Sequence, residues 1–285
     1  MTSPSGSPWL VSTQWLAERL GAPDTVAVDG SFYLPTQKRD PEAEFLVSHI
    51  PGAVRFDVEA VSDPASPYPH MLPSPDRFAE AMGKLGIAER DTIVVYDGLG
   101  LFASPRVWWT FRLFGAKNVY ILDGGLPRWK SESRPLESGP ANRAPKTFHA
   151  QAPLPIVATT ESVRQALADK SAQVVDARAA DRFRGEAPEP RPGLRSGHMP
   201  GSFNVPSSLL VENGSLAPSE RIRAAFAAGG VDIEKPVITS CGSGVSAAIL
   251  WLALDSLGRT PQALYDGSWS EWAARPGLPI ATGTK

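Results

Sequence analysis

The sequence contains one cysteine, Cys241, among its 285 residues. A single thiol excludes an internal disulfide and any structural zinc site that is built on several cysteines. We therefore expect the chain to work in a reducing compartment, with the cytoplasm as the default location. The only thiol stands in the stretch VITSCGSGVS, where an apolar run meets a glycine-rich turn, and this placement requires an explanation.

The sequence also lacks a strong charge of either sign. It has 28 Lys and Arg against 30 Asp and Glu, so its formal net charge is −2. Such a balance argues against nucleic-acid binding, which needs a basic field. No apolar run approaches the roughly 20 residues of a membrane-spanning helix. The opening MTSPSGSPWLVS lacks the basic and apolar regions of a secretory signal. We expect a soluble, unprocessed chain whose partners include neither nucleic acid nor a membrane.

What the sequence does contain is an internal repeat. Three landmarks recur at offsets of 147, 149 and 143 residues: Asp29 and Asp176 at the end of a predicted strand, His49 and His198 in H-x-P-G loops, and Asp123 and Asp266 in D-G turns. Strands and helices alternate in each half, which is typical of a mostly parallel sheet with helices on both faces. We predict an α/β fold with two tandem domains, residues 1–138 and 159–285, and a proline-rich linker over 139–158.

Each half has a glycine-rich turn of the form G-x-G-x-x-A. The turns are Gly98–Ala103 and Gly242–Ala247, and each is followed about 20 residues later by Asp123 or Asp266. This is also the pattern of dinucleotide-binding enzymes, so an NAD-dependent oxidoreductase is one hypothesis. That fingerprint, however, normally opens the first strand and helix of its domain, whereas an earlier strand and the H-x-P-G loop precede both turns here. We therefore expect no cofactor.

Cys241 supports a different hypothesis, nucleophilic catalysis. The residue follows a predicted strand and precedes a turn and a helix, so backbone N–H groups and a helix N-terminus surround it with positive potential. Such a field favours a nucleophilic thiolate. Most free cysteines are small buried hydrophobic residues, but ligands of open α/β sheets bind at the carboxyl ends of the strands, where Cys241 lies. Asp97 takes this position in the first half, so we expect one active and one inactive domain.

Two other kinds of site are disfavoured. A phosphatase loop of the form Cys-x5-Arg needs an arginine six residues after the nucleophile to clamp phosphate, and that residue here is Ala247. A metal centre is not expected, because none of the four histidines has metal-ligand spacing. We interpret His49 and His198 as structural residues of turns, and His149 as part of the linker.

The turn CGSGVS, the duplicated halves, the H-x-P-G loops and the stretches SPRVWW and YDGSWSEW resemble the two-domain rhodanese-type sulfurtransferases, within them the branch that uses 3-mercaptopyruvate. The resemblance covers nearly the whole chain. It implies two rhodanese-like domains, the first catalytically inactive. It also implies transfer of sulfur from 3-mercaptopyruvate through a Cys241 persulfide to cyanide or a thiol such as thioredoxin, with release of pyruvate. Ser246 is a departure, since the family usually has threonine there, but both residues supply a hydroxyl.

The resemblance further implies how the donor is bound. Arg182 and Arg191 match the family's substrate-binding pair, and a planar guanidinium suits the carboxylate of mercaptopyruvate. The alternative is a solvated loop in which the arginines pair with Glu186 and Glu189. Because CGSGVS carries no charge, whereas the thiosulfate-using branch has basic side chains in this loop, thiosulfate:cyanide transfer is the second candidate activity. A non-catalytic rhodanese-like binding module is a third hypothesis, and the thiol and both arginines weigh against it.

A proton relay completes the implied site. Ser243 matches the serine of a Ser-His-acid relay, and His70, from the first domain, matches its histidine. Both Glu59 and Asp63 precede His70, and the sequence does not separate them as the acid; His70 has the alternative role of shaping a turn. The persulfide anion would be held by the backbone N–H groups of the turn, from Gly242 to Ala247. The residues of the turn assigned to substrate binding are Gly242, Gly244, Val245 and Ser246.

Overall fold

The computed structural model describes residues 7–284, which form two compact units. The first comprises the described residues up to Pro64 with Leu72–Leu154 and Asn213–Leu216; the second comprises Ala65–Met71, Pro155–Glu212 and those from Ala217 onwards. Each unit therefore takes in a short segment from the other half of the sequence, and His70 groups with the second unit. The expected absence of a secretory signal concerns in part residues 1–6, outside the described residues. Every helix within residues 7–284 is too short or too polar to cross a bilayer.

The first unit is built on a parallel sheet, five-stranded within the described residues. Its strands are β1 (Leu10–Val11), β2 (Thr25–Asp29), β3 (Val54–Arg55), β4 (Thr92–Tyr96) and β5 (Val119–Leu122). They pair in the order β1-β5-β4-β2-β3, always in parallel. The helices are α1 (Thr13–Ala17), α2 (Pro41–Val47), α3 (Val58–Val61), α4 (Pro75–Lys84), α5 (Ser104–Leu113) and α6 (Gly125–Ser131), with a 3-10 turn at Pro35–Gln37.

The second unit repeats this plan. Its sheet strands are β6 (Val157–Ala158), β7 (Gln173–Asp176), β8 (Phe203–Asn204), β11 (Val237–Ser240) and β12 (Ala263–Tyr265), while β9 (Val211–Glu212) and β10 (Ser215–Leu216) stand outside both large sheets. The order β6-β12-β11-β7-β8 matches that of the first sheet, again fully parallel. The helices are α7 (Thr160–Asp169), α8 (Ala180–Arg184), α9 (Ser219–Ala228), α10 (Ala247–Ser256) and α11 (Ser268–Ala274), with a 3-10 turn at Ser207–Leu209. The predicted α/β class with parallel sheets is confirmed.

Strands β4 and β11 form the centres of the two sheets. Their sequences, TIVVY and VITS, are rich in β-branched residues, and almost all of these side chains are buried, as a strand covered on both faces requires. Each strand leads through a glycine-rich loop into a long helix, α5 or α10, which packs back on the sheet. The carboxyl ends of the two central strands therefore carry Asp97 and Cys241 at equivalent places.

The H-x-P-G loops make the same contacts in both units. The Nδ1 atom of His49 lies 2.7 Å from the carbonyl oxygen of Phe45, and the two rings stack with centroids 4.0 Å apart. His198 and Phe183 repeat the pair at 2.8 Å and 3.9 Å. Both histidines are buried. Each one closes its loop onto the preceding helix, which agrees with their interpretation as structural residues.

The proline-rich stretch 139–158 contains no helix and only the short strand β6 at its end. Before β6 it packs on the first unit. The Lys146 ammonium donates to Asp91 over 2.7 Å, and the buried Phe148 ring meets Phe78 edge-on with centroids 5.3 Å apart. The boundary after residue 138 stays a prediction, since the chain continues to group with the first unit as far as Leu154.

Candidate active site

The loop that follows β11 is fixed by one serine hydroxyl. Cys241 is 2% exposed. Its backbone N–H and that of Gly244 both donate to Oγ of Ser268, each over 3.1 Å. The hydroxyl in turn donates to the carbonyl oxygen of Tyr265 over 2.7 Å. Ser268 has a φ of 49°, in the left-handed region that non-glycine residues rarely adopt. This one side chain thus ties both ends of the Cys241 turn to the start of α11.

Ser268 was not among the residues predicted for the site, although the repeat carried a signal for it. The first half has Gly125 in the corresponding DGG turn, where the second half has DGS. Gly125 has nearly the same φ, 53°, and a Cβ atom there would lie 2.6 Å from the carbonyl oxygen of Asp97. The other copy of the repeat has a glycine at this left-handed position. A serine in its place indicates that the hydroxyl has a structural or functional role.

Helix α11 also binds the carbonyl groups of the turn. The N–H of Trp269 donates to the Cys241 carbonyl over 2.9 Å. Ser270 donates to the Gly242 carbonyl twice, from its N–H over 2.8 Å and from its hydroxyl over 2.7 Å. In a trans peptide the C=O and the next N–H point in opposite directions. The N–H groups of Gly242 and Ser243 therefore point away from α11.

In the matching loop of the first unit, the backbone N–H groups surround the side-chain carboxylate of Asp97. Its Oδ1 accepts from the N–H of Leu99 over 2.8 Å. Its Oδ2 accepts from three further N–H groups and one hydroxyl: Phe102 N at 2.8 Å, Ala103 N at 3.0 Å, Ser104 N at 2.8 Å and Ser104 Oγ at 2.7 Å. The backbone of this turn therefore forms a cradle that satisfies a negative charge.

The same backbone positions recur around Cys241. The offset between Asp97 and Cys241 is 241 − 97 = 144 residues. The amide donors of the Asp97 carboxylate correspond to those of Ser243, Ser246, Ala247 and Ala248. Two N–H groups at this turn have other acceptors: that of Gly244 donates to Ser268, and that of Ala248 donates to the Val245 carbonyl over 3.2 Å. The turn of the second unit thus has a thiol where the first unit has its own carboxylate.

His70, Ser243 and Arg191 meet beside this turn within the second unit. The Nδ1 atom of His70 lies 3.0 Å from Oγ of Ser243. Arg191 donates from Nη1 to the same Oγ over 3.4 Å and from Nη2 to Nε2 of His70 over 3.5 Å. His70 and Ser243 are 2% and 5% exposed. The histidine has a φ of 61°, so its backbone adopts a costly conformation that presents the ring to the serine.

The other residues predicted for the site include Glu59, Asp63, Val245 and Ser246. Glu59 lies in α3 and Asp63 follows that helix, and both belong to the first unit. The choice between them as the acid stays open. Val245 is buried in the turn. Ser246 stands at the cap position of α10, where its side chain accepts no capping hydrogen bond.

Arg182 lies against the turn and also forms an ion pair. A Cβ atom at Gly242 would lie 3.2 Å from its Nη2 atom. The guanidinium donates to Glu189 from Nη2 over 2.5 Å and from Nε over 3.4 Å. The neighbouring Arg184 pairs with Glu186 over 2.6 Å at the surface. Pairing with loop carboxylates, the alternative considered from the sequence, thus occurs for Arg182 together with its contact to Gly242.

Behind Arg182 lies a buried ion network that was not predicted from the sequence. The Arg178 guanidinium donates to Asp176 over 2.7 Å and to Glu189 over 2.8 Å, and all three side chains are at most 2% exposed. Burial alone would lower the pKa of Arg178, but the charges of Asp176 and Glu189 outweigh burial and raise this pKa. The charges of Asp176, Arg178, Glu189 and Arg182 sum to zero. This balance makes the burial of the network tolerable.

Comparison with known protein families places two matches on the chain. The Rhodanese-like domain matches residues 12–132 and residues 159–275. One match falls in each half of the repeat, and together the matches cover most of the chain. Each includes its central strand and the glycine-rich turn that follows it.

The chain is also similar over nearly its full length to named proteins. A 3-mercaptopyruvate sulfurtransferase of Escherichia coli is 45% identical over 273 residues, which are 95% of this chain and 97% of the relative. The mitochondrial thiosulfate/3-mercaptopyruvate sulfurtransferase 1 of Arabidopsis thaliana is 40% identical over 301 residues, covering 98% of this chain and 79% of the relative. The crystal structure of Escherichia coli SseA, described by its rhodanese fold and its catalytic mechanism as a 3-mercaptopyruvate sulfotransferase, aligns with a TM-score of 0.85 at 43% identity, covering 92% of this chain and 98% of that chain.

Proposed function

The chain belongs to the rhodanese-like domain family and is a sulfurtransferase, as its sequence predicted, and from this premise we propose its reaction. Cys241 takes the sulfur atom of 3-mercaptopyruvate, becomes a persulfide and releases pyruvate. It then passes the sulfur to a thiol or cyanide. The activity resides in the second unit, and the first unit, with Asp97 at the equivalent place, is inactive.

The binding of an anion by the repeated turn is the observation that carries this proposal. A persulfide is an anion attached to residue 241, and it needs donors at the end of β11. In the first unit the same turn satisfies the Asp97 carboxylate with four backbone N–H groups and one hydroxyl. A turn of this geometry around Cys241 therefore supports formation of an anionic intermediate there.

The bond changes follow from the chemistry of the donor. The Cys241 thiolate attacks the sulfur of mercaptopyruvate, and the carbon–sulfur bond breaks with its electron pair going to the enolate of pyruvate. The thiol proton of the donor ends on the methyl carbon of pyruvate, which leaves the persulfide as an anion. We assign the transfer of this proton to the Ser243 hydroxyl, whose buried contact with His70 suits a proton relay.

Two arginines are assigned to the carboxylate of the donor. Arg191 reaches Ser243 and His70, and Arg182 lies against Gly242, so both guanidinium groups stand beside the turn that carries the thiol. A guanidinium presents paired donors that match a carboxylate. Their positions support binding of mercaptopyruvate with its sulfur near Cys241.

The decisive experiment compares sulfur donors. We expect kcat/KM to be much higher for 3-mercaptopyruvate than for thiosulfate with the same acceptor, because the turn CGSGVS carries no charge to attract a dianion. Cys241→Ser serves as the blank, and its intact mass should fail to gain the sulfur atom that the unmodified protein gains from the donor. A preference for thiosulfate would show that the charge of the turn does not set donor specificity.

Thiosulfate transfer remains the second candidate activity, since the Arabidopsis relative is named for both donors. The dinucleotide hypothesis is set aside, because the family is rhodanese-like and Asp97 takes up the amide groups of the first turn. A non-catalytic binding module is the outcome if neither donor is turned over. In that case Cys241→Ser would keep the fold and the interactions of the chain, with no activity to lose.

The sulfur acceptor and the location are further proposals. We infer that a thiol such as thioredoxin accepts the sulfur, by attack of its thiolate on the outer sulfur of the persulfide, which regenerates the Cys241 thiolate. Turnover with thioredoxin, a small thiol and cyanide, each at equal concentration, would rank them. A cytoplasmic location stays a prediction from the single cysteine, and the Arabidopsis relative is named as mitochondrial; cell fractionation tests it.

A further inference from the structure

The carboxylate of Glu189 joins the two arginines of the buried ion network. Its Oε1 accepts from Nη1 of Arg178 over 2.8 Å, and its Oε2 accepts from Nη2 of Arg182 over 2.5 Å. The Glu189 side chain is only 2% exposed, whereas that of Arg182 is 19% exposed. The buried carboxylate thus connects an arginine of the protein interior with an arginine that borders the Cys241 turn.

This contact uses one particular edge of the Arg182 guanidinium. Glu189 takes the edge formed by Nε and Nη2, at 3.4 Å and 2.5 Å. A guanidinium has a second edge, formed by Nη1 and Nη2, that also binds a carboxylate through two parallel hydrogen bonds. The Nη2 atom that both edges share is the one beside Gly242. Arg182 therefore presents its Nη1 and Nη2 edge for a ligand at the turn.

The position of Glu189 is itself anchored to the turn. Arg178 is held by Asp176 and by the carbonyl of Gly197, which accepts from Nη2 over 2.8 Å. Its guanidinium lies over the ring of Trp269 at 4.4 Å, and the N–H of Trp269 donates to the Cys241 carbonyl. The network and the turn thus share a rigid support.

The other copy of the repeat lacks this support. The offset of Asp29 and Asp176 is 147 residues, and the same offset places Ser31 at the position of Arg178, since 178 − 147 = 31. The N–H of Ser31 donates to Asp29 as that of Arg178 donates to Asp176. The half of the chain with the thiol therefore has the arginine, and the half with Asp97 has a serine.

We propose that Glu189 is a positioning residue that fixes the Nε and Nη2 edge of Arg182, so that the Nη1 and Nη2 edge receives the carboxylate of the sulfur donor. This inference rests on the proposed function. The proposal predicts the direction in which loss of Glu189 changes donor binding, because a carboxylate beside Arg182 would by charge alone weaken the binding of an anionic donor. If positioning dominates, loss of Glu189 weakens donor binding; if charge dominates, loss of Glu189 strengthens it.

The test is the Glu189→Gln variant, with Glu186→Gln as matched control. Glu186 is in the same loop and pairs with Arg184 at the surface, so its loss removes an equal charge and leaves Arg182 untouched. For Glu189→Gln we expect KM for 3-mercaptopyruvate to rise at least about tenfold, since a displacement of about 1 Å at a binding group can cost about 100-fold. The kcat value should change much less, and Glu186→Gln should match the unmodified protein in both values.

A double-mutant cycle with Arg182→Ala separates positioning from a general loss of stability. If Glu189 acts through Arg182, adding Glu189→Gln to Arg182→Ala produces no further rise in KM. Independent, multiplying effects, or a KM that falls in Glu189→Gln, would overturn the proposal. If Glu189→Gln does not fold, Glu189→Asp keeps the charge with a shorter reach, and it should raise KM in the same way. Absence of sulfur transfer in the unmodified protein would instead reject the proposed function.

Discussion

The Nδ1 atom of His70 lies 3.0 Å from Oγ of Ser243, across 173 residues of sequence. Both side chains are buried, and Arg191 donates to each of them. A serine hydroxyl in this setting has a histidine ring to exchange a proton with and little water to compete. This contact supports our proposal that the pair carries the proton that must reach the departing pyruvate enolate.

Replacement of Ser243 by alanine should lower kcat for 3-mercaptopyruvate by about 100-fold, the lower range of general acid–base catalysis. The physical reason is that the alanine leaves His70 without the hydroxyl that it contacts. Steady-state kinetics with a saturating acceptor measure the effect. The control is Ser256→Ala, which removes a hydroxyl that donates only to the Ala253 carbonyl near the end of α10. A Ser243→Ala enzyme with unchanged kcat would remove Ser243 from the relay.

Ser268 should matter more for stability than Ser270. Ser268→Ala leaves the buried N–H group of Cys241 without its acceptor, which costs about 1–3 kcal/mol, and it also removes the hydroxyl to which Gly244 donates. Ser270→Ala removes one donor from the Gly242 carbonyl, which keeps its bond to the Ser270 N–H. Urea unfolding should therefore give a clearly larger loss for Ser268→Ala.

Sulfur transfer provides the second measurement on this pair of variants. Because Ser268 holds both ends of the turn around Cys241, Ser268→Ala should lower kcat/KM for 3-mercaptopyruvate more than Ser270→Ala does. Equal losses in the two variants would mean that the turn keeps its shape without the Ser268 hydroxyl. A larger effect of Ser270→Ala would assign the anchoring role to the Ser270 hydroxyl on the Gly242 carbonyl.

The fold was accessible from the sequence because its signals are local. The predicted strands end at Asp29 and Asp176, and β2 and β7 end at these residues, since apolar strands buried on both faces stand out between polar turns. The repeat doubled each signal. It also placed Asp97 and Cys241 at the ends of equivalent strands.

The parts of the site that the sequence did not reveal depend on contacts between distant segments. Ser268 lies 27 residues after Cys241, and its left-handed backbone has no signature in a single copy of the repeat. Glu189 was considered only as a partner of surface arginines, because a charged residue between prolines is ordinarily solvated. Only the packed structure shows that Arg178 and Glu189 are buried together.

Asp97 should be a major source of stability in the first unit. Asp97→Asn replaces a carboxylate that accepts five hydrogen bonds with an amide that has only one accepting oxygen. The amide oxygen can take the place of only one carboxylate oxygen, so at least one of the five bonds is lost. Because a bond to a charged group contributes about 1.5–3 kcal/mol, we expect the free energy of unfolding to fall by about 3 kcal/mol. Asp57→Asn is the control, because Asp57 caps α3 and asparagine caps a helix as well as aspartate. Equal unfolding midpoints for the two variants would contradict the anion cradle in the Asp97 turn.

Asp29 should make stability depend on pH in a direction opposite to that of an ion-paired carboxylate. Burial raises the pKa of Asp29 above its ordinary 3.8, and the nearby Asp97 adds to this rise, against the hydrogen bonds from Ser31 and the charge of Arg55. At neutral pH the folded chain therefore bears the cost of a buried charge. Asp29→Asn removes this charge and keeps an acceptor for the Ser31 N–H, so we expect the variant to be more stable at neutral pH.

The advantage of Asp29→Asn should shrink as the pH falls. Between the raised pKa of the folded state and 3.8, folded Asp29 binds a proton that the unfolded chain does not, which stabilises the unmodified protein relative to the variant. This contribution is complete below 3.8 and is lost as the pH rises through the folded-state pKa. Urea unfolding of both proteins across this range measures the difference, with the exposed Asp24→Asn as the control for removing one charge. A difference that grows on acidification would mean that Asp29 is stabilised as an anion by Ser31 and Arg55.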